Sequence, residues 1–215
     1  MKTPQRARRE EEKEKRRNTI LDAAEKVIAR RGLEKAHFGE IAQKTRLSRS
    51  LIYVYFPTKE DLFLSVCERG LTELQERFRA VASAHQRGID QVIAIGRAYH
   101  LFSQEEPLYF EMMAEMQTRD DAGAAASTAE LDAREDGRGC LRLVAGALVC
   151  GLSDRSIRPG IGDPGATAVS IWAFTHGLIQ ISAKKARMLE QDFGLKHDQL
   201  IDHGFELLRG SLSAG

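Results

Sequence analysis

The chain has few of the residues that build disulfide-linked, zinc-bound or membrane-spanning proteins. Its 215 residues include only three cysteines and five prolines. Cys67, Cys140 and Cys150 are odd in number and have no CxxC spacing, so we expect reduced core thiols rather than a disulfide or zinc framework. No apolar run approaches the ~20 residues of a membrane-spanning helix. Residues 1–17 are charged and lack the apolar core of a secretory signal, so we expect a cytoplasmic protein.

Patterns of common catalytic sites are also missing. A carboxylate-bridged metal site in a helical protein needs repeated Glu-x-x-His motifs, and the chain has no such repeat. It has no nucleophile elbow, phosphate-binding loop or HExxH motif either. We therefore expect no catalytic residues, no bound metal and no cofactor.

Apolar residues recur at helical spacing along most of the chain. Strand-like alternation is missing, whereas Ala, Leu, Glu, Lys and Arg are abundant, so we predict an all-α fold. Residues 1–14 are expected to form a polar arm, and the Gly- and Ala-rich stretch 120–128 a loop. The periodicity predicts helices over about residues 15–31, 38–45, 49–56, 58–83, 89–104, 107–116, 129–153, 165–190 and 197–211.

Positive charge is concentrated near the N-terminus. Residues 1–59 contain 16 Lys and Arg against 8 Asp and Glu, whereas residues 60–215 contain 16 against 23. A basic segment of this kind suits a polyanion, because phosphate neutralisation by Lys and Arg is the main sequence-independent source of DNA affinity. A solvated charged face would give the same balance, so charge alone does not decide.

Residues 38–56 have the pattern of two short helices joined by a tight turn. Phe38, Ile41 and Ala42 supply the inner face of the first helix, Leu47 fills the turn, and Ile52 supplies the inner face of the second. A helix-turn-helix needs these contacts and a second helix whose outer face is free to enter the major groove. The pattern predicts that motif.

The start of the second helix has the residues that a DNA-reading helix needs. Ser48 lies at the N-cap position, where a hydroxyl satisfies free backbone amides. Arg49, Ser50 and Tyr53 then lie on the outward N-terminal side, which reaches base edges and phosphates.

The block Ile52-Tyr-Val-Tyr-Phe-Pro-Thr-Lys-Glu-Asp-Leu62 resembles the hallmark of the TetR family of bacterial regulators. The resemblance covers about residues 16–66 and includes Glu40-Ile-Ala42 and Leu47-Ser48. It implies a DNA-binding domain of residues 1–60, with the helix-turn-helix at about 37–56, and a larger helical ligand-binding and dimerisation domain of residues 61–215. It also implies a homodimeric repressor that a small-molecule effector releases from a palindromic operator.

The resemblance implies which side chains contact DNA. Arg49 is the favoured base reader because arginine forks onto guanine, although a phosphate contact fits equally well. Tyr55 suits core packing as well as DNA contact. His37 stands where the family often has a threonine, so it either caps the first helix or touches phosphate. The implied set is His37, Arg46, Ser48, Arg49, Ser50, Tyr53, Tyr55, Thr58 and Lys59.

The C-terminal part carries a second resemblance. Residues 171–178 contain the W-x-x-x-H-G-L pattern of the family's penultimate helix, and apolar stripes there and in the last helix imply a four-helix dimer interface. An intramolecular core would give the same stripes. The interface residues implied are Ile171, Phe174, Leu178, Ile181, Ile201, Phe205 and Leu208.

Candidate effector contacts combine aromatic or thioether surface with a few polar tips, as small-molecule pockets do. Such residues predict a hydrophobic or aromatic effector, although each is also suited to a simple core. They are Tyr99, Phe102, Tyr109, Met113, Trp172 and His176.

Two other interpretations remain open. One is a basic helical interaction module that reads no specific DNA sequence. Alternatively, the chain is an activator, or a regulator of the same family that needs a co-repressor. Loss of operator binding on replacing Arg49 and Tyr53 would separate the first from a specific regulator, and a reporter assay would identify the second.

Overall fold

The computed structural model of the protein describes residues 4–117 and 127–214. The described residues form ten α-helices and no β-sheet, which confirms the predicted all-α fold. None of these helices is both long and apolar enough to cross a membrane. The helices are α1 (Pro4–Arg31), α2 (Phe38–Thr45), α3 (Arg49–Tyr55), α4 (Lys59–Ser83), α5 (Gly88–Glu105), α6 (Pro107–Gln117), α7 (Thr128–Ser153), α8 (Pro164–Lys184), α9 (Ala186–Phe193) and α10 (His197–Leu212).

The described residues divide into two compact units. The first comprises the chain up to Gly70 together with residues from Leu108 to Arg134, and the second comprises Leu71–Pro107 together with the chain from Glu135 onward. Helices α4 and α7 therefore each contribute residues to both units.

The first unit is built around the inner faces of α1, α2 and α3. Ile20 and Val27 from α1, Ile41 from α2, Ile52 from α3 and Phe56 are all essentially inaccessible to solvent. Burying side chains of this size stabilises the unit by about 1.5–3 kcal/mol each. This core fixes the angle between α2 and α3 and leaves their outer faces free.

Capping residues set the end of α1 and the start of α4 in the first unit, close to the bounds that the sequence predicts. Gly32 adopts a left-handed conformation, with φ of 76°, and its N–H bonds to the carbonyl of Ile28 at 2.8 Å. Thr58 and Asp61 form a reciprocal capping pair at the start of α4: Asp61 N donates to Thr58 Oγ1 at 3.0 Å, and Thr58 N donates to Asp61 Oδ2 at 3.2 Å. This pair is a capping box, with aspartate in place of the usual glutamate.

Two predicted elements differ from the structure. The expected polar arm 1–14 is helical from Pro4 onward, because it consists of strong helix formers and is supported by pairs such as Arg8 with Glu12, 3.6 Å apart. The single helix expected over 165–190 is interrupted at Lys185, whose backbone is non-helical, and α9 follows as a separate helix. The loop predicted over 120–128 lies mostly outside the described residues.

The core of the second unit is formed by α5, α7, α8 and α10. Phe102, Leu148 and Phe205 are buried almost completely. α10 approaches α8 closely at Gly204, where an added Cβ would lie 2.3 Å from a methyl carbon of Leu178. A larger residue at this position would require the Leu178 side chain to move, so glycine fits the space between the helices and is not needed for the backbone conformation.

Candidate nucleic-acid interface

The turn between α2 and α3 contains a strained residue. Arg46, the C-cap residue of α2, adopts the left-handed conformation with φ of 56° and ψ of 29°. The N–H of Leu47 then donates to the carbonyl of Ala42 at 3.2 Å. A side chain in this conformation costs about 1–2 kcal/mol relative to the right-handed region. The turn therefore places an exposed arginine beside the recognition helix at a cost in backbone strain.

Ser48 caps α3 as predicted. Its Oγ accepts a hydrogen bond of 3.2 Å from the N–H of Leu51 and lies 3.0 Å from the Oγ of Ser50. Both serines are exposed. The cap fixes the first turn of α3, the turn that also carries Arg49.

His37 lies at the N-cap of α2, but its side chain makes no capping hydrogen bond. Its backbone is extended, with φ of −124° and ψ of 142°, and its side chain is exposed. Of the two roles considered for His37, capping the helix is wrong. A phosphate contact stays a prediction.

Four of the predicted DNA contacts line one groove on the outer surface of the first unit. The groove has a volume of about 700 Å³ and is bounded by residues from α2, α3, the loop before α2 and the start of α4. Its lining residues are Ala36, His37, Phe38, Gly39, Glu40, Gln43, Arg49, Tyr53 and Lys59. Of the other predicted contacts, Arg46, Ser48, Ser50 and Thr58 are exposed elsewhere on the first unit, and Tyr55 is half-buried.

Arg49 lies across Gly39, a relationship that the sequence analysis missed. A Cβ built on Gly39 would lie 2.4 Å from one terminal nitrogen of the Arg49 guanidinium. Glycine at this position therefore provides the space in which the guanidinium rests. Gly39 is inside a helix and needs no special backbone conformation, so only the fold shows why it is there.

Tyr53 is held by its neighbour while its outer edge stays free. Its ring meets that of Phe38 edge to face, with centroids 4.8 Å apart, and the residue is 52% exposed. Such a contact between aromatic rings restricts the side chain without burying its hydroxyl.

The electrostatics of the groove favour an anion. Glu40 is the one acidic residue among the lining residues, and it pairs with Arg30 and Arg31 at the end of α1. Lys59 donates from Nζ to the carbonyl of Glu34 at 2.7 Å, which holds the ammonium at the edge of the groove. The ammonium has three donors, so two remain for another acceptor. The carboxylate of Glu40 is therefore neutralised by its arginine partners, while the side chains of Arg49 and Lys59 supply positive charge to the groove.

A family model for bacterial regulatory proteins of the tetR family matches residues 20–66, which include α2, α3 and the start of α4. The N-terminal domain belongs to the TetR family.

Relatives of this TetR-family domain are similar over the same region. An uncharacterized HTH-type transcriptional regulator from Bacillus subtilis, YfiR, is 36% identical over 63 residues, and the fatty acid metabolism regulator protein of the same organism is 34% identical over 58 residues. These matches cover 29% and 27% of this chain and 31% and 30% of the relatives, so the chain spans about a third of the curated relatives it matches. Both relatives are named as regulators.

A solved structure extends the similarity of fold to almost the whole chain. The transcriptional regulator FadR from Bacillus subtilis, solved in complex with stearoyl-CoA, superposes with a TM-score of 0.69 at 19% identity. The alignment covers 90% of this chain and 97% of that structure. At this identity the likeness establishes a TetR-type fold of an N-terminal helix-turn-helix with a C-terminal helical part.

Three of the six effector-contact candidates lie together in the second unit. The hydroxyl of buried Tyr99 is 2.8 Å from His176 Nδ1, and the ring of Trp172 lies 6.3 Å from that of His176. His176 Nε2 is 3.0 Å from the side-chain nitrogen of Gln180, so both ring nitrogens of His176 have a hydrogen-bond partner. Burial raises the pKa of Tyr99 well above its usual value. This cluster is polar at its centre and aromatic around it.

The other three candidates are placed differently. Phe102 is fully buried in the second unit, and the guanidinium of Arg77 lies 5.1 Å from its ring centroid. Tyr109 and Met113 are buried in the first unit, where the Tyr109 hydroxyl bonds to Glu25 at 2.9 Å. Contact with an effector stays a prediction for all six.

The residues predicted at the dimer interface fall into two groups. Four of them are already buried inside the second unit of the chain, as an intramolecular core would require. They are Ile171, Ile201, Phe205 and Leu208. A side chain already buried has little surface left for a partner. By contrast, Phe174 is 40% exposed, Ile181 is 52% exposed and Leu178 is half-buried.

Proposed function

We propose that the protein is a homodimeric, sequence-specific DNA-binding regulator of transcription, and that it is a repressor released from a palindromic operator by a small-molecule effector. One observation carries the proposal: Arg49, Tyr53 and Lys59 line a single exposed groove on a TetR-family helix-turn-helix. Such a protein acts where the chromosome lies, in the bacterial cytoplasm, and needs no catalytic residue.

DNA binding follows from the positions of these side chains. The N-terminal end of a recognition helix enters the major groove, and Arg49 is the first residue of α3. Its five-donor fork suits guanine or a phosphate, depending on the depth of insertion. Lys59 and Thr58 at the start of α4 suit a phosphate, because a helix N-terminus presents free amides and positive charge. The two helices would thus grip base edges and backbone together.

The DNA-binding half is tested by mapping where the purified protein binds in its own genome and then replacing groove residues. We expect Arg49→Ala and Tyr53→Ala each to weaken binding to the mapped operator by about 1–3 kcal/mol without loss of fold. Arg187→Ala, an exposed arginine on α9, is the matched control and should leave affinity unchanged. Binding that shows no preferred sequence, or that all three variants leave intact, would favour the basic interaction module.

A dimer is supported by the exposed side of α8. Ala173, Phe174 and Ile181 are exposed on that helix, and Gly177 between them is small and half-buried. Small residues beside exposed apolar ones allow two helices to approach closely. Two helix-turn-helix modules on half-sites 34–36 Å apart provide the affinity that one module lacks, and a two-fold axis produces a palindromic site.

The proposed effector is hydrophobic or aromatic, and the Tyr99–Trp172–His176 cluster supports its location. Thr175, next to His176, carries a buried hydroxyl that has no hydrogen-bond partner within the described residues. An effector with a polar group could satisfy it. Since FadR was solved with stearoyl-CoA, long-chain acyl thioesters are the first compounds to try.

Release would be a shift between two conformations of the dimer. An effector must prefer a conformation in which the recognition helices no longer fit successive major grooves. α4 is continuous from the groove residue Lys59 to Ser83 in the second unit, so it is the natural lever. A gel-shift and thermal-shift panel of lipophilic compounds tests this step. Unchanged DNA affinity with every compound that binds would contradict effector release, and a reporter assay would separate a repressor from an activator.

A further inference from the structure

Two histidines from different helices of the second unit meet edge to edge. His100 on α5 and His197, the first residue of α10, have their Nε2 atoms 3.0 Å apart. Their ring centroids are 5.2 Å apart and their planes are inclined by 36°. Gln104, one turn after His100, brings its side-chain amide to 3.4 Å from the Nε2 of His197. Only the fold brings these residues together.

We propose that His100 and His197 form a binding site for a divalent transition-metal ion such as Cu²⁺, Ni²⁺ or Zn²⁺. Imidazole nitrogens bind zinc at about 2.0–2.1 Å. The two Nε2 atoms lie 3.0 Å apart. An ion about 2.0–2.1 Å from both of them would therefore have a nitrogen–metal–nitrogen angle of about 95°. This angle fits two adjacent positions of the tetragonal or octahedral sites of Cu²⁺ and Ni²⁺. The two rings now point nearly at each other, so each would turn by roughly 20–30° to direct its lone pair at the ion. Separation of the rings by about 0.3–0.4 Å would give the tetrahedral angle that Zn²⁺ prefers.

Charges of both signs surround the pair. Asp198 and Asp202 act on His100 as nearby negative charges, whereas His197 and Arg97 act as positive ones. The guanidinium of Arg97 bonds to Asp202 at 2.8 Å, which offsets part of its repulsion. Burial lowers the pKa of His100, which favours the neutral imidazole, the form that binds metal.

The donor set indicates an exchangeable site instead of a structural one. Within the described ranges, no group of three or more His, Cys, Asp or Glu side chains is arranged for a metal. The two imidazoles would therefore be joined in the coordination sphere of the ion by water, or by the side-chain carbonyl oxygen of Gln104 after a flip of its amide. Gln104 is exposed, so the site opens to solvent. An ion bound there would join the start of α10 to α5.

A hydrogen bond between two neutral imidazoles is the competing explanation. It needs one Nε2–H donor and one bare Nε2 acceptor, and it predicts no response to metal. The metal site does not depend on the proposed DNA binding, so the two can fail separately.

The test uses the full chain without a histidine tag, stripped with EDTA and dialysed. Calorimetric titration with CuCl₂, NiCl₂ and ZnCl₂ should show one ion bound per chain and a rise in Tm. His100→Gln and His197→Gln should each weaken binding at least tenfold, since even residues that only orient metal ligands cost that much. His203→Gln, an exposed histidine on the same α10, is the matched control and should bind normally.

Spectroscopy of the Cu²⁺ complex identifies the ligands directly. Electron paramagnetic resonance should show coupling to two imidazole nitrogens in the unaltered protein and to one in each variant. If His100→Gln does not fold, the proposal is still tested by His197→Gln, at the end of a helix, and by the spectrum of the unaltered protein. Absence of binding by all three ions, affinity retained in both variants, or an equal loss in His203→Gln would overturn the proposal.

Discussion

The hydroxyl of Tyr109 on α6 donates a hydrogen bond of 2.9 Å to Oε1 of Glu25 on α1. The same carboxylate oxygen accepts from Arg69 on α4 at 2.7 Å, and Arg69 also donates to Asp22 at 2.7 Å and Asn18 at 2.9 Å. Burial lowers the pKa of Arg69, but its hydrogen bonds and the two carboxylates outweigh that effect and raise it. One polar network therefore joins three helices of the first unit.

Removing the Tyr109 hydroxyl should destabilise the protein modestly. Tyr109→Phe loses one hydrogen bond to a charged acceptor but leaves Glu25 paired with Arg69, so we expect a loss of about 0.5–1.5 kcal/mol. Glu25→Ala removes the acceptor of both donors and should cost more. Urea unfolding, followed by circular dichroism, measures both values. Equal stability of Tyr109→Phe and the parent chain would show that the network contributes nothing through this bond.

Replacing Arg46 by glycine should separate stability from DNA affinity. Glycine tolerates the left-handed conformation, so Arg46→Gly should raise the free energy of unfolding by up to about 1 kcal/mol. It should also weaken operator binding, since an exposed cation beside α3 is lost.

Arg155 is the matched control for this strain. It is the other residue besides glycine with positive φ, 62°, in the described part of the chain, and it belongs to the second unit. Arg155→Gly should gain stability to a similar extent and leave DNA affinity unchanged. If neither variant has a higher free energy of unfolding, contacts around Arg46 and Arg155 compensate for the left-handed conformation of both residues.

Alanine at Gly39 should disturb Arg49 without unfolding the domain. The added Cβ would contact the end of a flexible side chain, which can move, and alanine favours a helix by about 1 kcal/mol over glycine. We therefore expect unchanged or slightly higher stability, with operator affinity reduced about tenfold, or about 1.4 kcal/mol. Gly137→Ala on α7, where the Cβ meets nothing within 4 Å, should keep full affinity. Full affinity in Gly39→Ala would mean that the resting position of Arg49 is irrelevant to binding.

Features fixed by neighbouring residues were predictable from the sequence. Gly32, Ser48 and the Thr58–Asp61 pair end or begin helices through their own backbone and hydroxyl chemistry, so the end of α1 and the starts of α3 and α4 follow from the local sequence. The break at Lys185 has no glycine or proline to mark it, and it was missed.

Features that depend on what lies opposite a side chain were not predictable. An apolar stripe looks the same whether it faces its own chain, as Phe205 does, or solvent, as Ile181 does. The contact of Arg49 with Gly39 likewise joins two helices and leaves no periodic signal. For the same reason, the meeting of His100 and His197, 97 residues apart, appears only in the folded chain.

Charge on the exposed side of α8 should prevent dimerisation. Phe174→Asp and Ile181→Glu place carboxylates on a surface that we propose is buried between two copies, where an unpaired charge is strongly unfavourable. Sedimentation should change from dimer to monomer, and operator binding should weaken with it. Val149→Glu on α7, at a residue that is 54% exposed, is the matched control and should remain dimeric. Dimers in all three variants would place the interface elsewhere.

The stability of the protein should fall when the pH drops below about 6.5. Burial, and to a smaller extent Lys184, lowers the pKa of His176, and burial followed by the charge of His197 lowers that of His100. A histidine with a lowered pKa in the folded state binds its proton more readily once the chain unfolds. The contribution of the neutral histidine to the free energy of unfolding is therefore complete above the ordinary histidine pKa of about 6.5. It is lost as the pH falls toward the pKa of that histidine in the folded state.

Unfolding by urea at about pH 7.5 and about pH 5.5, with EDTA present to exclude metal, measures this dependence around the ordinary histidine pKa. His176→Gln should reduce the difference in unfolding free energy between the two pH values, because glutamine does not titrate. His203→Gln, an exposed histidine on α10, should leave the difference as it is in the parent chain. A difference of the same size in His176→Gln would show that the Tyr99–His176 hydrogen bond survives protonation, with the tyrosine hydroxyl turning from donor to acceptor.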